Sequence, residues 1–309
     1  MRNILCVTLI ALLGGCTSTS VTEKYQDKRN DIINVKDKVI EFETGNVLIG
    51  SVSRLYMSNK CLLIADHKSV DKQIHIFNKN DFSYLTSIGN FGEGPEEITV
   101  MGCLAIDEAH HQLYVSDHAK QKIFSYDMDS VMVDSLYKPQ VKTAMNETLF
   151  PSEYQYINDT LSIAVLIKPT STSTFNQFLG RWNMNTGEMI PMKYTHPDIQ
   201  KKRITFAASE KAGIYVECYT RHDLMTICSL DGELLYNIYG PDWDGGNGNK
   251  LQSFGTVMIG NDKIFVSYCG EDYARDSFPT KILVFDLEGN YLKTLETGYK
   301  ISDCCYDSF

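Results

Sequence analysis

Three things are scarce in this chain, and each scarcity removes a class of protein. Lysine and arginine number 29 against 39 aspartates and glutamates, which leaves a net charge of −10 over 309 residues. The basic residues form no long run. Nucleic-acid binding needs clustered Lys and Arg to neutralise phosphates, so nucleic acid is excluded as a partner. The same balance disfavours broad contact with an anionic membrane surface. Helical patterning is also scarce: apolar residues at i, i+3, i+4 and i+7 hardly occur together. Apolar length is the third. Residues 4–13 form an apolar run of about ten, whereas crossing a hydrocarbon core takes about 20. Catalytic signatures are missing too. There is no Gly-x-Ser-x-Gly elbow and no His-Glu-x-x-His pair, and no spacing links the Ser, His and Asp residues.

Cysteine is present nine times, without any Cys-x-x-Cys, so a zinc site is disfavoured. Cys6 and Cys16 lie at the amino terminus. The other seven are Cys61, Cys103, Cys218, Cys228, Cys269, Cys304 and Cys305. An odd number leaves at least one free thiol. Most of these sit in apolar runs, where cysteine acts as a small hydrophobe. The expectation is free thiols without a structural disulfide.

What is there begins at the first residue. Arg2 supplies a positive charge, the apolar run follows, and Leu13, Gly14, Gly15 and Cys16 end it. Charge, short apolar core and small residues make a secretory signal over residues 1–15. The ending resembles the lipobox of bacterial lipoproteins, which implies a lipid on Cys16. Residues 16–36 are polar and read as a flexible tether. Residues 37–309 then form the folded domain. No acidic cluster follows Cys16, which leaves the membrane face open.

That domain repeats. A β-type run, a turn with Asp, Asn or Gly, and a second run recur at residues 73–88, 122–136, 178–192, 224–239 and 281–295. Each hairpin is preceded by two more short runs. Units of four strands start near Ser53, Met101, Tyr154, Ile204 and Phe254, a period of about fifty that marks a β-propeller. Residues 301–307 align with residues 101–107 as the first strand of a sixth unit. The expected fold is all-β: a six-bladed propeller of four-stranded blades with the last blade incomplete. Residues 38–42 offer at most one more strand to it. A low-stability, association-prone gap between the first and fifth blades follows from that reading.

Two segments go further. A strand ends in Asp66 and leads to Gln73 and Ile74; another ends in Asp117 and leads to Lys122 and Ile123. With the loop Gly89-x-x-Gly92-x-Gly94-Pro95, this resembles TolB-like and NHL-like six-bladed propellers. Together with the lipobox, it resembles the propeller lipoproteins of Bacteroides-type bacteria. The resemblance implies a lipid-anchored envelope protein, at the outer membrane, and implies no settled activity.

The candidate residues divide by role. Gly92 and Gly94 belong to a blade crossing, since no helix follows to hold phosphate. Asp66 and Asp117 occupy matching positions, which argues for backbone-capping turns, with His67 and His118 beside them solvated. Two loops carry polar and aromatic residues suited to a partner or a sugar ring: Asp242, Trp243 and Asp244 in one, Tyr273 and Arg275 in the other. Alternating oxygens around Trp243 miss the calcium-loop spacing. No catalytic residue, cofactor, calcium or zinc is assigned. The reading is a non-enzymatic binding or scaffold propeller for an envelope protein, peptide or glycan. The alternative is a propeller lyase or hydrolase with a metal in its central funnel, marked by His, Asp or Glu converging from several blades.

Overall fold

Apolar runs bounded by turn residues become strands covered on both faces. The strand Cys61–Asp66 is buried at all six positions, and so is Ile214–Tyr219. A computed structural model describes residues 22–134, 136–199, 202–246, 250–275 and 277–307. Two short strands come first, β1 (Glu23–Tyr25) and β2 (Ile32–Asn34). Blade 1 is β3 (Ser53–Met57), β4 (Cys61–Asp66), β5 (Lys72–Asn78) and β6 (Tyr84–Asn90). Blade 2 is β7 (Met101–Asp107), β8 (Gln112–Asp117), β9 (Lys122–Asp127) and β10 (Gln140–Ala144), with helix α1 (Met128–Val133) before its last strand. Blade 3 is β11 (Phe150–Asn158), β12 (Leu161–Pro169), β13 (Phe175–Trp182) and β14 (Met189–Pro191). Blade 4 is β15 (Ile204–Ser209), β16 (Ile214–Tyr219), β17 (Leu224–Ser229) and β18 (Leu234–Tyr239). Blade 5 is β19 (Leu251–Gly260), β20 (Lys263–Asp272), β21 (Lys281–Asp286) and β22 (Tyr291–Glu296).

Each blade is an antiparallel sheet in chain order, so the fold is an all-β propeller, with five four-stranded blades among the described residues. A single blade cannot cover its own faces; neighbours do it. Ile76 and Leu63 of blade 1 share a buried cluster with Leu113 and Phe124 of blade 2. Tyr114 of blade 2 meets Ala164 and Trp182 of blade 3. Leu179 packs with Tyr215 and Leu224 across blades 3 and 4. Val216 and Ile227 pack with Ile264 and Phe285 across blades 4 and 5. Each fully buried side chain of this size contributes about 1.5–3 kcal/mol. The tight hairpin at Asp231 needs positive φ, which Gly232 supplies at +85°.

The antiparallel order gives the ring two unlike ends. One end, the turn face, carries the strand 1–2 and strand 3–4 turns. The other, the crossing face, carries the strand 2–3 loops and the passages between blades.

Several sequence expectations change here. The start of the run expected as a strand from residue 130 is helical instead, in α1. Asp127 accepts a hydrogen bond from Ser130 N at 2.7 Å and caps α1, whose Val131 is buried. The last strand of blade 2 is β10 instead. The tether is bound from Thr22 onward: β1 adds in parallel to the outer edge of β18, and β2 to that of β22. Residues 38–42 form no strand; Phe42 stacks on Phe82 at 4.3 Å over blade 1. Residues 301–307 hold the position expected of a sixth first strand, because Asp303 accepts from Leu55 N of β3 at 2.8 Å and from Thr256 Oγ1 of β19 at 2.6 Å. They form no strand there. The seven cysteines among the described residues are free thiols, five of them buried.

Candidate functional site

The site starts from a buried charge. Arg29 follows β1 and enters the joint between blades 4 and 5. Its Nη1 lies 2.8 Å from Asp223 Oδ1, and both side chains are almost wholly buried. The guanidinium also sits 5.4 to 5.7 Å from the ring centres of Phe254, Tyr268 and Phe285. Burial raises the Asp223 pKa, and the Arg29 charge opposes that rise. Gly240 passes so close to Asp223 that a Cβ there would stand 2.0 Å from Oδ2. Asp223 also accepts from Asp242 N at 3.2 Å, which fixes the start of the Trp243 loop.

On this floor the two loops singled out by sequence come together. Their link is the dipeptide Arg221–His222, between β16 and β17, which the sequence reading missed. The Arg221 guanidinium lies 3.2 Å above the centre of the Tyr273 ring. His222 stands 5.9 Å from the Trp243 ring, and its Nδ1 is 3.9 Å from Asp244 Oδ1. Burial lowers the His222 pKa and Asp244 opposes, so the imidazole stays neutral at neutral pH. Trp243 is partly buried, with Tyr239 at 5.0 Å and His196 at 5.8 Å. Asp242 Oδ2 accepts from Tyr268 at 3.3 Å. Tyr273 remains 47% exposed, which makes it the open ring of the pair. Arg275 pairs with Glu271 at 3.4 Å on the exposed edge. The surface offers planar rings, guanidinium donors and carboxylate acceptors. Among its described residues no nucleophile stands against a base.

A second polar group gathers from three blades at the inner strands. Arg54 Nη2 of β3 meets Glu153 Oε1 of β11 at 2.6 Å. Burial opposes the Arg54 charge, and Glu153 more than offsets it. His67 and His118 stand nearby and are partly buried rather than solvated. His67 Nδ1 contacts the Met101 carbonyl at 3.2 Å, and His118 covers Gly102. The reason is the strand start at Met101 and Gly102, where the missing Cβ leaves room for an imidazole. Burial lowers both histidine pKa values. The ion pair neutralises the converging charges.

The turn residues have defined partners. Asp66 accepts from Gly50 N at 2.7 Å and Lys68 N at 2.9 Å. Asp117 accepts from Thr99, Val100, Ala119 and Lys120 N at 2.8 to 3.2 Å. The loop of Gly92 and Gly94 turns carbonyls inward: Lys120 Nζ donates to Gly94 O and Glu97 O, each at 2.5 Å. Carbonyls that hold an ammonium group repel phosphate. Among the described residues, one group of His and Asp has spacing for a metal ion: Asp107, His110 and Asp159, on the turn face between blades 2 and 3. There His110 Nδ1 already meets Asp107 Oδ2 at 2.8 Å. Cys16, the lipidation site expected from the sequence, lies outside the described residues.

The fold has solved counterparts. An exported protein of Bacteroides fragilis aligns with a TM-score of 0.54 over 90% of this chain and 80% of its own, at 14% identity. A duf4221-family protein of Bacteroides vulgatus aligns at 0.55 over 78% and 80%, at 12% identity. A chain of a nidogen–laminin complex aligns at 0.52 over 82% of each, at 10% identity. At such identities the likeness is one of fold. No curated protein matches the sequence. The family model DUF5128, described as a 6-bladed beta-propeller, matches residues 17–178, just over half of the chain, and the protein belongs to that family.

Proposed function

We propose that this protein is a lipid-anchored binding or scaffold propeller of the bacterial envelope. Its peptide or glycan ligand rests on the crossing face at blades 4 and 5. The observation that carries this reading is the meeting of the Trp243 and Tyr273 loops through Arg221 and His222. An exposed ring beside a guanidinium suits stacking on a sugar or on a peptide side chain, with Asp244 and Glu271 as acceptors. Lipid attachment at Cys16 rests on the amino-terminal residues, and residence at the outer membrane on the family resemblance. The likeness to an exported Bacteroides fragilis protein supports export.

The test is a glycan and peptide array followed by titration of the best binder. Arg221→Ala and Tyr273→Ala should each weaken binding about tenfold or more while the melting temperature holds, as expected for anchors of a small interface. Binding untouched by both changes places the ligand elsewhere. For the anchor, Cys16→Ala should move the protein out of the membrane fraction; unchanged partitioning and mass contradict lipidation.

One observation favours the metal-enzyme alternative, the Asp107, His110 and Asp159 group. It lies on the opposite face from the proposed ligand site, and the described inner strands hold the Arg54–Glu153 pair instead. Stoichiometric calcium or zinc retained through dialysis, and lost in Asp159→Asn, would favour the enzyme.

A further inference from the structure

Blade 2 differs from the others in its last hairpin. Where blade 1 turns at residues 79–83, blade 2 inserts α1 and the residues after it before β10 begins. The helix does not stand free. It packs against β6 of blade 1 as well as β9 of its own blade. Between these elements, on the turn face, lies a cleft of about 440 Å³. That volume falls within the range of about 300–1,000 Å³ typical of small-molecule sites.

The lining separates by chemistry. Leu63 and Leu113 form a buried apolar floor. Met128 and Met132 of α1 line the same cleft, and thioether side chains adapt to varied apolar shapes. At the rim stand the carboxylates of Glu108 and Asp129 with the single lysine Lys60. Asp129 Oδ2 meets His111 Nδ1 at 2.7 Å, and Glu108 Oε1 accepts from Asn59 N at 2.8 Å, so both carboxylates are held in place. Asp107 lines the cleft too, but its oxygens are taken by His110 and Tyr114.

The geometry points to a binding site for a small organic ammonium ion with an apolar body. The body would lie on the leucines between the methionines, and the ammonium at the Glu108 and Asp129 rim. The site is on the face opposite the proposed ligand surface and stands independently of that reading.

The experiment uses the full chain with ¹³C-methyl-labelled methionine and phenethylammonium as the probe. Met128→Leu and Met132→Leu assign the two signals among the eleven methionines. Both signals should shift saturably, while those of Met184 and Met225, buried in other clusters, stay put. Glu108→Gln and Asp129→Asn should each weaken the probe by up to about fivefold, the weight of one partly exposed ion pair. The neutral isostere 2-phenylethanol should bind more weakly by a similar factor, and phenylacetate should not bind. Two variants guard against one that fails to fold. Absence of shifts at Met128 and Met132 overturns the site. Equal binding of all three probes overturns recognition of the ammonium group.

Discussion

The joint between blades 4 and 5 and the joint between blades 5 and 1 are built from the same repeat and closed in different ways. At the first, apolar side chains from both blades interlock, and Arg29 fills the remaining space against Asp223. At the second, a few ties span the distance. Asp303 reaches both β3 and β19, Tyr306 stacks on Phe265 at 5.1 Å, and Lys79 meets Asp307 at 2.9 Å. Phe42 covers part of blade 1, while Ile40 and Leu48 are 88% and 91% exposed. Apolar closure gains with every atom buried, whereas isolated ties contribute little each. The proposed ligand surface stands on the first kind of joint, where its loops have a fixed floor.

The largest effect should come from Arg29. Arg29→Ala leaves Asp223 buried without its cation and should cost about 3–5 kcal/mol in denaturant unfolding. A loss no greater than that of a surface substitution would mean that the amino-terminal segment is not part of the joint. Next come matched truncations. Ile227→Ala, fully buried at blades 4 and 5, should cost about 2–5 kcal/mol, and Phe42→Ala, 40% exposed, clearly less despite its larger ring. Equal losses would erase the distinction between the joints.

Much of this was legible in the sequence. The period of about fifty residues gave the blades, because a strand buried on both faces writes a continuous apolar run. The joints were not legible. Strands β1 and β2 are three residues each and join by backbone pairing to one edge, so polar composition alone suggested a tether. Arg29 in such a stretch carries no sign of burial. The run from residue 130 has the apolar composition of a strand, and the one local sign of the helix is the Asp127 cap three residues before Ser130. Arg221 and His222 went unnoticed, although the matching strand 2–3 loops of blades 1 and 2 also carry a histidine, His67 and His118.

Smaller effects sharpen the contrast. Asp66→Ala and Asp117→Ala should each cost about 0.5–2 kcal/mol, the range for a lost cap of backbone N–H groups, with Asp117 the larger because it serves four. Loss of ligand binding at an unchanged melting temperature would give either residue a functional role. Acidification should be the mildest perturbation. Burial lowers the pKa of His67, His75, His118, His196 and His222. The unfolded chain therefore binds protons first as pH falls through the ordinary imidazole range near about 6.5. Stability should be full above that range and decline below it. His110, raised by its bond to Asp107, acts in the opposite sense from an exposed position. A melting temperature that rises on going from neutral to mildly acidic pH would contradict the burial of these rings.

Hydrogen exchange read by mass spectrometry compares the two joints in one experiment. Asn237 N donates to Thr22 O and Thr294 N to Asp31 O, each at 2.7 Å, where the amino-terminal segment seals blades 4 and 5. Peptides covering β18, β22 and residues 22–34 should exchange slowly and together. Peptides covering residues 39–49 and 301–307, which form no strand, should exchange at least about tenfold faster, since local opening there breaks few apolar contacts. Equal protection of the two sets would show a uniformly sealed ring and contradict the division between a rigid joint that carries the site and a soft one that does not.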